Sequence, residues 1–544
     1  MVGIVIRAFG GISPKTPPRM LTESQAQTAD KCAVFNGALR PSKNVSNTSV
    51  ATTPSTTKTI YKFGQDSTSE TTGWLDWDTD VDVARGQING DTEEWTFYTG
   101  DGAPKAIRSG YTTSPVSMGI TAPSTAVTVS ADAATLPADS DTLAAETRLY
   151  TYTFVAKVGG RDIESSPAPG SNLVDVFPGQ SVNIHSFELP TGNLSSAVTH
   201  FRIYRSTAGV YLFVEEITLA EATAATQSAP HVDDVDPELL AEELPSLYWE
   251  EPPTNLAGLL NMPNGVMAGF VGRDVYFCEP YVPHAWPENY RQTIDYPVVG
   301  LGRMDTTLAV LTKGTPYFIQ GSHPDSMVVV KTDIEQACSS KRSIVSFNNA
   351  VFYCSPDGLI ALTPGGSRNI TASMFTKEQW QEQIDPTSVF ADYYDTRYIG
   401  FYNNGTQSGY FIFDLASNAF VLSTATVNPT ATFQSLRNDK LYVAISGQIK
   451  EWDVGNNLTY TWRSKKFNFP TPLSMSCAHV EAEAYPVTAK IYADGTLLHT
   501  ETVSDREPFR LPVLVGRDWE VELSGSNEIF SFSMAQSMGE LMSV

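Results

Sequence analysis

The chain has 544 residues and a formal charge of −24, with 41% hydrophobic residues, 34 prolines and 38 glycines. That length predicts several domains, and the acidity excludes a general nucleic-acid-binding surface, which would be basic. Five scattered cysteines without metal-ligand spacing exclude a disulfide framework and point to buried thiols formed in a reducing cytoplasm.

Taken in order, the chain opens on a strand at Val2 to Ile6, then Phe9-Gly10-Gly11 and Pro14. The Pro14 to Pro18 stretch has fixed φ angles and few donors, which suits a segment lying along a neighbour. A helix-like stretch follows near Glu23 to Cys32, then a Ser/Thr-rich run to Thr59. Residues 1–60 are expected to form an assembly arm that buries little by itself. The apolar start holds Arg7 and no cleavage-like segment follows, so no signal peptide is expected.

Residues 61–120 read as a β segment packing on the core. There Asp76, Asp78, Asp80 and Asp82 alternate with other residues, so one strand would carry all four carboxylates on one face. A calcium loop fails on position, since the sixth residue is not Gly and the twelfth is not Glu; a solvated strand face is the better reading. Phe97 to Gly102 with Pro104-Lys105 reads as a hairpin turn, because no helix-forming stretch follows.

An Ala/Ser/Thr/Pro-rich linker covers 112–145 and a compact sandwich-like segment follows at roughly 146–245, the β-sandwich domain being drawn at 121–245. Its strands are expected at Arg148 to Val158, Asn183 to Phe187, His200 to Tyr204 and Tyr211 to Ile217. This segment resembles a fibronectin type III module. Between Arg205 and Arg273 there is no Lys or Arg, but eleven carboxylates occur from Glu215 to Glu251. Such a run is a solvated linker or a repelling rim beside a DNA path, the former preferred.

Residues 246–460 repeat strand, tight polar turn, strand. The turns lie at Gly272-Arg273-Asp274, Lys313-Gly314, Asn348-Asn349, Asn403-Asn404-Gly405 and Ser446-Gly447. Recurrence at roughly 40–50 residues is how propeller blades read. Residues 461–544 read as a closing β-sandwich with an Asp494-Gly495 hairpin and strands at Arg510 to Leu514, Trp519 to Leu523 and Ile529 to Met534. The expected class is therefore all-β, a propeller-like core with flanking sandwiches.

Signals for chemistry are thin. There is no nucleophile elbow, zinc-helix motif or phosphate loop, and the seven histidines show no paired spacing. His284, between Pro283 and Trp286, reads as a ring packed in a rigid loop. Asp392 and Asp395 are the carboxylates a glycosidase could use, yet they sit where a strand enters a turn. Ser355-Pro356-Asp357-Gly358 is similar to the Asp-box turn of sialidase blades but lacks its trailing Trp and occurs once. No catalytic, cofactor-binding or metal-ligating residue is assigned, no cofactor is expected, and no stretch spans a membrane.

Several segments together resemble the tail tubular, or nozzle, proteins of short-tailed double-stranded DNA bacteriophages. They are Phe9-Gly10-Gly11 with Pro14, Phe35-Asn36-Gly37-Ala38-Leu39, and Tyr98 to Gly102 with Pro104-Lys105. The most specific are Asn264-Gly265, Glu279-Pro280, Pro283-His284-Ala285-Trp286-Pro287, and Thr312-Lys313-Gly314 with Pro316-Tyr317. The resemblance spans residues 1–330, with a weaker continuation to 460. It implies a virion protein assembled in the host cytoplasm, a homohexameric ring below portal and adaptor. Such a ring bears fibres or a tip and passes double-stranded DNA non-specifically. The alternatives are a tail-associated glycan depolymerase and a propeller or fibronectin-type adhesin.

Overall fold

A computed structural model of the protein describes residues 3–34, 36–46, 50–53, 56–64, 69–425 and 428–542. Val2 of the expected first strand, Phe35 of the Phe-Asn-Gly-Ala-Leu stretch and parts of the Ser/Thr-rich run lie outside them. The chain is all-β, its described helices limited to short segments such as Leu219–Ala224 and Lys377–Gln383. It divides into two units: residues 1–80, 296–319 and 329–544 form one, and 81–295 with 320–328 form the other.

The first unit contains consecutive four-stranded antiparallel meanders. One comprises Val298–Met304, Thr307–Thr312, Tyr317–Gln320 and Val328–Lys331; the next Val345–Phe347, Ala350–Ser355, Gly358–Thr363 and Gly366–Asn369. A third comprises Phe390–Tyr394, Arg397–Asn403, Ser408–Asp414 and Ala419–Ala425. The last has only three consecutive strands, Ala431–Ser435, Lys440–Ile445 and Gln448–Glu451, and takes its fourth, Val50–Ala51, from the N-terminal region. The first strands of successive meanders lie beside one another. Their turns are the polar pairs legible in the sequence: Asn348-Asn349 and Ser446-Gly447 both have positive φ, the geometry that joins twisted antiparallel strands without splaying them.

The same unit ends in a sandwich. One sheet runs Gly3–Ile6, Ile529–Ala535, Cys477–Ala482, Phe509–Arg510. The other runs Ala26–Asp30, Tyr460–Ser464, Gly516–Gly525, Val487–Ala493, Thr496–Val503. Between them Ile4, Ile6, Phe9, Trp462, Trp519 and Phe532 share one core. Phe9 meets Trp462 edge-on at 4.9 Å, and the Trp462 Nε1–H donates to the Gly10 carbonyl at 3.0 Å. The expected arm is therefore corrected: Ile4, Ile6, Phe9 and Ile12 are part of the core. Ile4, Ile6, Phe9 and Ile12 carry too much apolar surface to stay outside a sheet, and their partner strand lies some 530 residues on. The Pro14 to Pro18 stretch does lie along a neighbour, but one in its own chain. Lys15 Nζ donates to the Ala372 carbonyl at 2.7 Å, and Gln379 Nε2 to the Pro14 carbonyl at 3.0 Å.

Two local expectations also change. Glu23 to Cys32 is not helical; Ala26–Asp30 is a strand with a bulge between Ala26 and Thr28. The extra residue puts buried Ala26 and Ala29 three positions apart on one face, which imitates helical spacing. Residues 511–515 are loop rather than strand, because Pro512 supplies no donor to a ladder.

The second unit contains two four-stranded meanders and a sandwich. Asp82–Arg85, Thr96–Thr99, Lys105–Ile107 and Val116–Ser117 form one meander; Ala257–Asn261, Met267–Val271, Asp274–Phe277 and Gln292–Thr293 form the other. In the sandwich, Thr128–Ala131, Val182–His185 and His231–Asp233 face a sheet of Arg161–Glu164, Tyr150–Val158, Val198–Thr207 and Val210–Thr218. The stretch read as a linker thus supplies two strands, Val116–Ser117 and Thr128–Ala131. Buried Tyr152, Phe154, Phe201 and Ile184 fill the space between the sheets.

Candidate functional site

The block from Pro263 to Pro287 builds one wall of a cavity in the second unit. Asn264 and Gly265 both have positive φ, and a Cβ on Gly265 would stand 2.4 Å from the Tyr281 ring, so only glycine lets that ring lie down. The Tyr281 N–H donates to the Gly265 carbonyl at 3.0 Å. Glu279, Val282 and Ala285 close the following loop on itself through backbone bonds of 2.9–3.0 Å. Trp286 anchors it: the ring is 2% exposed, and its Nε1–H donates to the Pro283 carbonyl at 2.9 Å. Prolines 280, 283 and 287 fix φ along this loop and lower the entropy lost in ordering it.

The cavity measures about 330 Å³ and is lined by Trp95, Phe97, Met118, Trp249, Tyr281 and His284, with Arg161, Glu164 and Arg202 among the remaining walls. Trp249 and His284 meet edge-on at 5.6 Å, and Trp95 stacks on Phe97 at 6.2 Å. The charged walls are neutralised internally. Arg161 pairs with Asp91 at 3.0 Å and lies over the Trp95 ring at 5.4 Å. Arg202 is clasped by Glu164, Asp162 and Glu216 at 2.7–2.9 Å. Glu164 also accepts from Tyr204 Oη at 2.7 Å and Thr153 Oγ1 at 2.9 Å. Two buried polar atoms in the walls stay unpartnered: Trp95 Nε1 and His284 Nε2. Burial pushes the His284 imidazole down to about 4, outweighing the opposing contact with the Glu164 backbone. The ring is therefore neutral near neutrality. Assigning the single ring proton to Nδ1 leaves Nε2, which has no partner in the protein, as an acceptor.

The other residues singled out from sequence are dispersed. Asp76 lies in Trp74–Trp77 and accepts from the Thr53 N–H at 2.8 Å; Asp80 pairs with Lys341 at 3.3 Å. Asp82 opens a different strand, Asp82–Arg85, and accepts from the Gly258 N–H at 2.9 Å. The chain turns between Trp77 and Asp82, so the single four-carboxylate strand face does not form. Among the described residues no three His, Cys, Asp or Glu side chains gather as a metal site. Asp392 lies partly buried in Phe390–Tyr394, bonded to the Tyr393 N–H and to Thr432 of the next meander, and burial pushes its carboxyl up to about 7. Asp395 sits exposed in the following turn, paired with Arg397 at 3.0 Å. These two carboxylates thus serve different neighbours.

The acidic run is only partly a solvated linker. Asp233 is fully buried against Arg205 at 2.9 Å and accepts from Tyr150 Oη at 2.7 Å. Glu216 binds Lys157 and Arg202, Glu215 binds His231 at 2.6 Å, and Glu221 completes a capping box with Thr218. Asp234, Asp236, Glu238, Glu242 and Glu243 are exposed. Sequence reasoning singled out His284 but missed Trp95 and Trp249. Two aromatics some 150 residues apart carry no spacing signal, and only the fold brings them to one cavity.

No protein-family model and no curated protein matches the chain. Solved structures give distant likenesses. The extracellular domain of a one-component system from B. thetaiotaomicron is 9% identical, covering 87% of this chain and 69% of that one, with a TM-score of 0.27. PorZ of Porphyromonas gingivalis is 10% identical, covering 89% and 82%, with a TM-score of 0.25. Kluyvelomyces marxianus Hsv2 is 11% identical, covering 49% and 69%, with a TM-score of 0.26. Likenesses this distant bear on neither partner nor activity.

Proposed function

We propose that this chain is a structural subunit of a short-tailed bacteriophage tail: the nozzle ring, a homohexamer that extends the DNA-ejection channel below portal and adaptor and bears fibres or a tip. In this reading the meanders are blades of a propeller, and the protein works as architecture without catalysis. The observation that carries it is the central block of the resemblance. Its Asn264-Gly265 pair, Glu279 to Pro287 loop and Thr312-Lys313-Gly314 turn are scaffold parts. Gly265 admits the Tyr281 ring, Trp286 anchors its loop, and Thr312 Oγ1 accepts from the Gly314 N–H at 2.9 Å.

An apolar loop supports self-association. Val513, Leu514 and Val515 are consecutive and 88%, 39% and 59% exposed, beside the Pro-containing edge strand Phe467–Leu473. Three adjacent exposed apolar residues favour a surface that a second copy of the chain covers. Native mass measurement tests the reading: the expected species is six chains, and Val513→Asp with Val515→Asp shifts it to smaller species with unchanged circular dichroism. A protein monomeric at every concentration, with or without purified portal and adaptor, would contradict it.

A further inference from the structure

The cavity behind the Pro263 to Pro287 block has the features of a ligand site, independently of any ring. Its volume of about 330 Å³ falls at the small end of the range for small-molecule pockets. Its walls carry indole, phenyl, phenol and imidazole rings beside aliphatic side chains, and its arginines and carboxylates are already held in ion pairs. A charged ligand would have to break those pairs, whereas a neutral one would not. What the walls lack is one acceptor for Trp95 Nε1–H and one donor for His284 Nε2. Trp95 is 2% exposed, and a buried donor left without a partner is costly. A hydroxyl both donates and accepts. A ring that carries hydroxyls at its edge and C–H groups on its faces therefore fits both the unpaired atoms and the aromatic walls.

We propose that this cavity binds a neutral saccharide unit, its apolar face against the aromatic side chains and its hydroxyls paired with Trp95 Nε1 and His284 Nε2. The test titrates the full-length protein with the methyl glycosides of glucose, galactose and N-acetylglucosamine, with methyl glucuronide as the charged comparison. Binding is read by tryptophan fluorescence and by saturation-transfer NMR. At least one neutral glycoside is expected to bind saturably, and more tightly than the glucuronide. Trp95→Phe keeps the ring and removes the donor; His284→Phe keeps a ring and removes the acceptor. Each is expected to weaken binding about tenfold, the worth of one hydrogen bond, with near-ultraviolet circular dichroism used to confirm the fold. The wild-type measurement stands without either variant: no saturable binding of any glycoside up to its solubility limit overturns the proposal. So does equal affinity in wild type and both folded variants, which would put the sugar elsewhere. Tighter binding of N-acetylglutamine amide than of every glycoside would make the cavity a seat for an amide side chain, and would also overturn it.

Discussion

At Gly11 the chain passes so close to another segment that a Cβ would stand 2.3 Å from the Phe420 carbonyl oxygen, and at Gly10 one would stand 2.9 Å from that of Ser24. The Gly-Gly pair was visible in the sequence; its reason, a backbone threaded between two others, was not. Titratable groups show the same division. Asp392 reads in the sequence as half of a carboxylate pair, but its surroundings make it a partly buried acid whose carboxyl is raised from 3.8 to about 7. An acid raised on folding holds its proton more tightly in the folded state. Its contribution therefore falls as pH rises from about 4 to about 7 and stays low above that. Asp392→Asn removes this dependence. Urea denaturation at about pH 8 should find the variant more stable than the wild type by about 1 kcal/mol or more, with the advantage gone only below about pH 4. An unchanged difference between the two pH values would show that Asp392 does not titrate there. Asp233 is expected to behave oppositely under truncation. Asp233→Ala strands the buried Arg205 and should cost about 3–5 kcal/mol, read as a lowered denaturation midpoint of the second unit.

Hairpins were the elements most legible in the sequence, because their chemistry is local. Asp494-Gly495 and Ala208-Gly209 both take positive φ at both turn residues, joining Val487–Ala493 to Thr496–Val503 and Val198–Thr207 to Val210–Thr218. Where the partner is remote, the sequence shows a strand at most and not what it pairs with. The strand Gly3–Ile6 pairs with Ile529–Ala535, and Val50–Ala51 pairs with Gln448–Glu451. Nothing within ten residues of either records that pairing. This placement reverses what removing the N-terminus should do. Deleting residues 1–20 takes away an edge strand and Ile4, Ile6, Phe9 and Ile12 from a shared core, so the isolated chain should lose the cooperative unfolding of its C-terminal sandwich. Phe9→Ala is the milder probe. It leaves a cavity beside Trp462 and should cost about 3–5 kcal/mol, seen as a lower midpoint in Trp462 fluorescence. A truncated chain with wild-type stability would return the segment to the role of an arm.

Across the whole molecule, the boundary between units cuts the repeat that sequence reading took as one core. The meander at Ala257–Thr293 belongs to residues 81–295, and the later ones to the other unit. Strand periodicity reports each meander of 246–460 but not which compact unit it belongs to. Charge is the property that belongs to the molecule as a whole. If six chains of −24 form a conduit, the ring carries −144 formal charges, and DNA with one phosphate charge per about 1.7 Å of axis is repelled from an acidic bore. Among the eleven carboxylates between Glu215 and Glu251, those committed to internal pairs are unsuitable for testing this, since replacing Asp233 or Glu216 would unsettle the sandwich. Asp234, Asp236, Glu238, Glu242 and Glu243 are exposed and can be changed to Lys together. Should this stretch face the channel, each new phosphate contact adds about 0.9 to the slope of log affinity against log salt. Ejection should then slow at low salt and recover as salt rises, while native mass still reports the assembled ring. An ejection rate indifferent to the five lysines at every ionic strength would place this stretch away from the DNA, or remove bore charge from the account of how DNA keeps moving.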